Sequence, residues 1–142
     1  MSTDSREVCR ILLVEDDDLV RDFLVAKLRR ALPGARVVAA NEGRAALLAY
    51  GRERPDLIIT DLNLGEISGA QVIAEIRRTD QETPILVITG APDVARVPGA
   101  NEVVPKIRFA YLIDRVVEVL AARAGVAVGT SLRADDRACG LF

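Results

Sequence analysis

Four consecutive acids, Glu15-Asp16-Asp17-Asp18, follow the apolar run Ile11-Leu12-Leu13-Val14, and a lone Asp61 follows a second run, Leu57-Ile58-Ile59-Thr60. Short apolar runs of this kind read as buried strands of a parallel sheet. Two strands that end in carboxylates gather negative charge at one edge of one sheet. Such charges repel each other and resist leaving water. A bound cation relieves both costs. An all-oxygen donor set selects a hard cation, Mg²⁺ ahead of a transition metal. These residues point to Mg²⁺-dependent chemistry in which one carboxylate is left to react.

The elements that must position them alternate along the chain. Cys9–Val14 reads as a first strand. Asp18–Leu32 reads as a helix, with Leu19, Phe23, Ala26 or Lys27 and Arg30 at helical spacing and Val20, Leu24, Leu28 and Ala31 widening the stripe. Pro33-Gly34 ends it. Arg36–Ala40 is a second strand, and Asn41 is placed to cap a helix over Glu42–Arg52. Pro55-Asp56 turns the chain into a third strand, Leu57–Thr60. A loop, Leu64–Gly69, leads to a helix over Ala70–Arg78 with Val72, Ile73 and Ile76 inward. Pro84 introduces a fourth strand, Ile85–Thr89. Two prolines and two glycines in Gly90–Ala100 argue against a long helix there. Glu102–Val104 is a short fifth strand, and Phe109–Ala124 a last helix with Leu112, Val116, Val119 and Leu120 on one stripe. Residues 125–142 are small, polar and unpatterned, and read as a flexible tail. Five such strand–helix units give an α/β fold, an open parallel sheet with helices on both faces. Ligands of such sheets bind beyond the carboxyl ends of the strands, where Asp16 and Asp61 stand.

Composition narrows the chemistry further. The chain has 142 residues, half of them apolar, enough for one full core. Net charge is −2 without a basic block, so neither nucleic acid nor an anionic membrane surface is expected as a partner. Histidine is absent, which removes His-ligated zinc, a Ser-His-Asp triad and a phosphohistidine on this chain. Cys9 and Cys139 show no metal-type spacing, and Cys9 reads as a small buried hydrophobe. The polar start lacks an apolar signal core, and no apolar run reaches membrane-spanning length. A soluble, cytoplasmic protein is expected.

The motifs now combine. Ile11-Leu12-Leu13-Val14-Glu15-Asp16-Asp17, Leu57-Ile58-Ile59-Thr60-Asp61-Leu62-Asn63-Leu64, Pro84-Ile85-Leu86-Val87-Ile88-Thr89-Gly90 and Lys106 together resemble the receiver domain of two-component response regulators. The resemblance spans roughly Arg10 to Arg123, and its strength lies in four motifs in order, each at a strand end. It implies a flavodoxin-like, doubly wound sheet of five parallel strands in the order 2-1-3-4-5. It assigns residues 8–124 to the receiver. It also implies phosphoryl transfer from a histidine kinase or histidine phosphotransfer protein. By position, Asp61 matches the phosphorylated aspartate. Glu15 and Asp16 match the acidic pair that holds Mg²⁺, and Asn63 the residue whose backbone carbonyl joins them. Thr89 matches the hydroxyl that closes on the phosphoryl group, and Lys106 the lysine that pairs with its oxygens.

The chain departs from that pattern after the fourth strand. Receivers usually carry a cis-bonded proline after the lysine, yet Lys106 is followed by Ile107 and preceded by Pro105. The spacing of Gly99-Ala100 to Lys106 supports the lysine assignment. Counting back from Phe109 and Leu112 would put Pro105 in the lysine slot instead. The first alignment is preferred because the chemistry needs a cation. The stretch from Thr89 to Lys106 is short, so the fourth helix is expected to be shortened or absent. Val103 holds the place of the aromatic switch residue, and Leu64-Gly65-Glu66 lacks the usual proline.

Three functions compete. The first is an atypical stand-alone receiver, a phospho-acceptor rather than an enzyme. Self-phosphorylation from small donors and autodephosphorylation would be its only catalysis. The segment after the last helix is too short for a helix-turn-helix module, so the receiver would act by contact with a downstream protein or as a phosphate shuttle or sink. The second is a pseudo-receiver, an interaction module that is never phosphorylated. The third is a haloacid-dehalogenase-like phosphatase, which Asp61-Leu62-Asn63 loosely resembles. That reading leaves the first acidic pair unexplained.

Overall fold

A computed structural model describes residues 8–91 and 93–124; the tail expected at 125–142, with Cys139, lies outside the described residues. The described residues form five strands, β1 (Arg10–Val14), β2 (Arg36–Ala40), β3 (Leu57–Asp61), β4 (Ile85–Thr89) and β5 (Glu102–Pro105), and four helices, α1 (Asp18–Ala31), α2 (Gly43–Glu53), α3 (Gly69–Arg77) and α4 (Phe109–Ala124), one after each strand except β4. All strand pairs are parallel, in the order β2-β1-β3-β4-β5. This is the flavodoxin-like order that the resemblance implied. The order switches beside β1, where Val14 is in register with Thr60. Glu15 and Asp61 therefore leave adjacent strands at the same level of the switch-point crevice.

Alternation along the strands divides the core in two. Ile11, Leu13, Ile59, Leu86, Ile88 and Val104 pack toward α1 and α4, against Leu24, Leu28, Leu112, Val116 and Leu120. Leu12, Val14, Ile58, Ile85 and Val87 pack toward α2 and α3, against Ala46, Ala49, Val72, Ile73 and Ile76. Both β3 and β4 are buried along their whole length, as a sheet covered on both faces requires. Cys9 is buried, as expected.

Two local expectations are corrected. The buried stripe of α1 is Leu24 and Leu28 with Val20 and Val25 beside them, whereas Leu19 is 81% exposed and Phe23 40%. The helix points one edge of its apolar surface past the sheet, and Phe23 leans edge-on against Phe109 instead. Asn41 does not cap α2. Glu42 takes that place in extended conformation without a side-chain cap bond, because the helix begins only at Gly43. Gly43 lies so close to Ile67 that a Cβ would stand 2.8 Å from that side chain.

None of the described residues between Thr89 and Glu102 is helical, which agrees with the short, proline-rich sequence there. Arg77, at the end of α3, holds the far end of this connection. Its Nε donates to the Gly99 carbonyl at 2.9 Å, its Nη1 to the Asp80 carbonyl at 2.9 Å and its Nη2 to Asn101 Oδ1 at 3.3 Å. The same Asn101 oxygen accepts the Ile85 N–H at 2.8 Å. Gly99 has φ +87, a left-handed conformation suited to glycine, and faces Ile73 and Arg77 with no room for a Cβ. Among the described residues no helix is long and apolar enough to cross a membrane.

Candidate phosphoryl-acceptor site

The loop after β1 is built by its own acids. Asp17 caps α1, its Oδ1 accepting the N–H groups of Leu19 at 2.9 Å and Val20 at 3.1 Å. This leaves Glu15 and Asp16 free of capping duty. Glu15 turns inward and is fully buried, with Oε2 accepting the Asp17 N–H at 3.0 Å. Asp16 stays exposed. The loop after β3 is closed by Gly69, whose N–H donates to the Leu62 carbonyl at 2.9 Å. A Cβ at Gly69 would stand 2.0 Å from the Asp61 carbonyl oxygen, so only glycine lets α3 start so near the strand. Ser68 and Gln71 form a reciprocal capping box at that start.

Asp61 is 3% exposed, and its two oxygens have different partners. Oδ1 accepts the Leu62 N–H at 2.7 Å, a turn-forming role that fixes the carboxylate. Oδ2 faces the Lys106 ammonium at 2.9 Å. That ammonium also stands 3.1 Å from Glu15 Oε1 and 3.4 Å from Oε2. Carboxylate oxygens of Glu15, Asp16 and Asp61 all lie within 4.8 Å of one another. Lys106 reaches this point because the ladder ends just before it: Thr89 is in register with Pro105, and the Lys106 N–H bonds to the Thr89 carbonyl at 2.8 Å. Pro105 is exposed at the sheet edge, while the Lys106 side chain reaches Asp61. No peptide bond among the described residues is cis.

The electrostatics arise from burial and pairing. Burial pushes the Glu15 carboxyl above its usual range, and the neighbouring Asp61 adds to this against the Asp17 N–H and Lys106. Burial alone would lower the Lys106 ammonium, but hydrogen bonds to Asp61 and Glu15 outweigh it and hold the pKa above the ordinary lysine value. Glu15 Oε1 is buried and makes no hydrogen bond, although the ammonium is within ion-pair distance. An oxygen left with spare acceptor capacity beside two further carboxylates is what a hard cation would use.

Thr89 is buried at the end of β4, its Oγ1 accepting the Ala91 N–H at 3.0 Å. A Cβ added at the adjacent Gly90 would meet nothing within 4 Å, so that flank of Thr89 is open. Asn63 is exposed in the loop after β3, with its N–H 3.4 Å from Asp61 Oδ1. Val103 is half-buried and packs on the α2–α3 side of the core. Sequence reasoning missed Arg21, whose Nη1 donates to the Glu15 carbonyl at 2.9 Å. The available signal was its spacing from Asp18, three residues apart on one helix face, where the two form an ion pair.

Comparison with known proteins agrees with this geometry. The family model "response regulator receiver domain" matches residues 11–110. The transcriptional regulatory protein AfsQ1 of Streptomyces coelicolor is 36% identical over 118 residues, covering 80% of this chain and 51% of that protein. Response regulator MprA of Mycobacterium leprae is 38% identical over 104 residues, covering 68% of this chain and 44% of its own length. The chain thus spans about half the length of the curated relatives it matches. Among solved structures, the response regulator TrrA of Thermotoga maritima, in complex with Mg²⁺ and BeF, has TM-score 0.72 and 30% identity over 80% of this chain and 100% of its own. The Vibrio cholerae chemotaxis protein CheY4 has TM-score 0.69 and 26% identity over 80% of this chain and 99% of its own. A family model covering most of the folded region, four strand-end motifs and the strand order agree: the chain belongs to the response regulator receiver domain family of two-component signalling.

Proposed function

We propose that this chain takes a phosphoryl group onto Asp61 from the phosphohistidine of a histidine kinase or histidine phosphotransfer protein. Residues 8–124 would form the receiver. One arrangement supports this most: a buried aspartate at the switch point, paired with Lys106 at 2.9 Å and within 4.8 Å of the Glu15 and Asp16 oxygens. Asp16, Asp61 and the Asn63 carbonyl would hold Mg²⁺ directly, and Glu15 partly through water. The chemistry supplied by bound Mg²⁺ is neutralisation and alignment of the phosphoryl oxygens.

This chain's residues do the rest. An Asp61 oxygen bonds to phosphorus as the bond from phosphorus to the donor imidazole nitrogen breaks, and that nitrogen keeps the electron pair. Lys106 pairs with a phosphoryl oxygen, so the new negative charge is not left unmatched in a buried site. Thr89 keeps its hydroxyl proton for donation, since its oxygen serves Ala91 as an acceptor. The phosphorylated receiver would then act in the cytoplasm through contact with a downstream protein. The expected absence of nucleic acid finds no support in relatives named as transcriptional regulators.

Intact mass after incubation with acetyl phosphate and Mg²⁺ tests the proposal. One added phosphoryl group is expected on the wild type and none on Asp61→Asn, because an amide is too weak a nucleophile. Lys106→Ala should bind Mg²⁺ at least as tightly as the wild type, because a competing cation is gone, yet label poorly. The lack of a helix among the described residues between β4 and β5, with Val103 in the aromatic position, favours the pseudo-receiver as second reading. A wild type that binds Mg²⁺ but stays unlabelled by small donors and kinases would establish it.

A further inference from the structure

Asp16 poses a question of placement. It is exposed, and among the described residues no hydrogen bond holds its carboxylate. Its approach to Glu15 and Asp61, within 4.8 Å, must come from the backbone that carries it. The peptide entering Asp16 consists of the Glu15 carbonyl and the Asp16 N–H. The Glu15 N–H before it is tied to the Ala40 carbonyl at 3.0 Å, and the Asp17 carbonyl after it accepts the Arg21 N–H at 2.9 Å. Between these two ties, the Glu15 carbonyl is held by the Arg21 guanidinium at 2.9 Å. That guanidinium is braced from its other side by Asp18, and the Arg21 side chain is only 18% exposed.

We propose, on the footing of the Mg²⁺ site described above, that Arg21 is a positioning residue. It fixes the Glu15–Asp16 peptide plane and so aims the exposed Asp16 carboxylate into the metal site. Supporting groups that orient metal ligands change affinity when removed. Here the sign separates positioning from simple charge. Arg21 places a positive group near the site, so Coulomb's law alone predicts tighter Mg²⁺ binding once it is gone. Loss of aim predicts weaker binding.

Mg²⁺ titration of the unphosphorylated protein, followed by amide chemical shifts and calorimetry, decides between them. Arg21→Met keeps the aliphatic stem and a good helix former while removing every donor. It should weaken Mg²⁺ about tenfold, the low end for orienting groups. Arg21→Lys, which retains charge and one donor, should recover part of the loss. Melting of both variants without metal checks that the fold persists, and the smaller change in Arg21→Lys keeps the comparison usable if Arg21→Met is destabilised. Unchanged or tighter Mg²⁺ binding in Arg21→Met, with wild-type binding intact, overturns the positioning role and leaves the metal site standing. A wild type that binds no Mg²⁺ removes the metal site itself, and the role of Arg21 with it.

Discussion

The two flanks of the site are built differently. On the β1 and β3 side the backbone is tied at several points beside the carboxylates: Glu15, Asp17, Leu62 and Gly69 all donate backbone N–H groups to defined acceptors close by. On the β4 side the chain leaves Thr89 and travels to Glu102 without a helix among its described residues, and its strongest ties lie at the far end, where Arg77 grips Gly99 and Asn101. The flank that carries Glu15, Asp16 and Asp61 is the more firmly held, as a site built on rigid elements should be. The other flank has fewer ties along its described residues: Val94 N–H reaches the Ala91 carbonyl at 3.4 Å, and Val94 and Val97 rest on the core; so sparse a set of bonds marks a segment of low local stability.

Gly69→Ala tests the rigid flank most severely. The added methyl would stand 2.0 Å from the Asp61 carbonyl, and the obstacle is backbone that cannot turn aside. A destabilisation of about 3 kcal/mol is expected, at the upper end for overpacking, and Asp61 labelling should fall with it. Urea denaturation and acetyl-phosphate labelling measure both. A variant as stable as the wild type would mean that the β3–α3 loop gives way easily and that the two flanks differ little.

Much of the rigid flank was legible in the sequence, because strand-end acids are marked by short apolar runs and their order. Strands, helix stripes and the carboxylate cluster come from periodicity and burial, which neighbouring residues decide. Arg77 was not legible. Its three acceptors lie on Asp80, Gly99 and Asn101, and the last two are more than twenty residues away. The side of α1 that meets the sheet was also misjudged. Leu19 and Phe23 share the helical spacing of core residues, and only the docking angle of the helix tells the two stripes apart.

Arg77→Ala should break the comparison from the other side. Releasing the Gly99 carbonyl and Asn101 would free the whole connection rather than its middle, at a cost of about 2 kcal/mol for hydrogen bonds from a charged donor. Amide exchange should quicken at Ala100, Asn101 and Ile85, whose N–H groups depend on this end. In the wild type, a beryllofluoride complex should protect Gly90–Val97 and Leu64–Gly69 relative to the free protein. Fast exchange confined to Gly90–Val97 in both wild type and Arg77→Ala would show that Arg77 is no latch.

Asp80 supports the same end of α3 and adds a pH signature. Burial would raise its carboxyl, but donation by the Tyr50 and Thr83 hydroxyls and by the Thr83 and Glu82 N–H groups outweighs it and holds the pKa well below the ordinary range. The depressed native value means the unfolded chain binds the proton first on acidification. Asp80 therefore contributes fully at neutral pH, and its contribution fades as pH falls below about 4. Asp80→Asn should cost about 1.5 kcal/mol at pH 7, and less at pH 3, in paired thermal melts. A gap that stays constant from pH 7 to 3 would assign the loss to shape rather than to charge.

The smallest effect belongs to Asp17, and it asks whether the rigid flank owes its order to the helix start. Its Oδ1 satisfies two N–H groups that the helix leaves open, and its charge sits at the positive end of the helix dipole. Asp17→Ala should cost about 1 kcal/mol, and Asp17→Ser should regain most of it because a hydroxyl caps nearly as well. The Asp17 N–H that holds Glu15 Oε2 is backbone and survives both changes. Mg²⁺ affinity should therefore move far less than stability, since the aim of Glu15 is retained. Urea titration with an unchanged slope reads the stability change cleanly. If Asp17→Ala lowers Mg²⁺ affinity as strongly as Arg21→Met, the loop is ordered by the helix start as a whole, and no single side chain can be credited with holding the Glu15–Asp16 peptide.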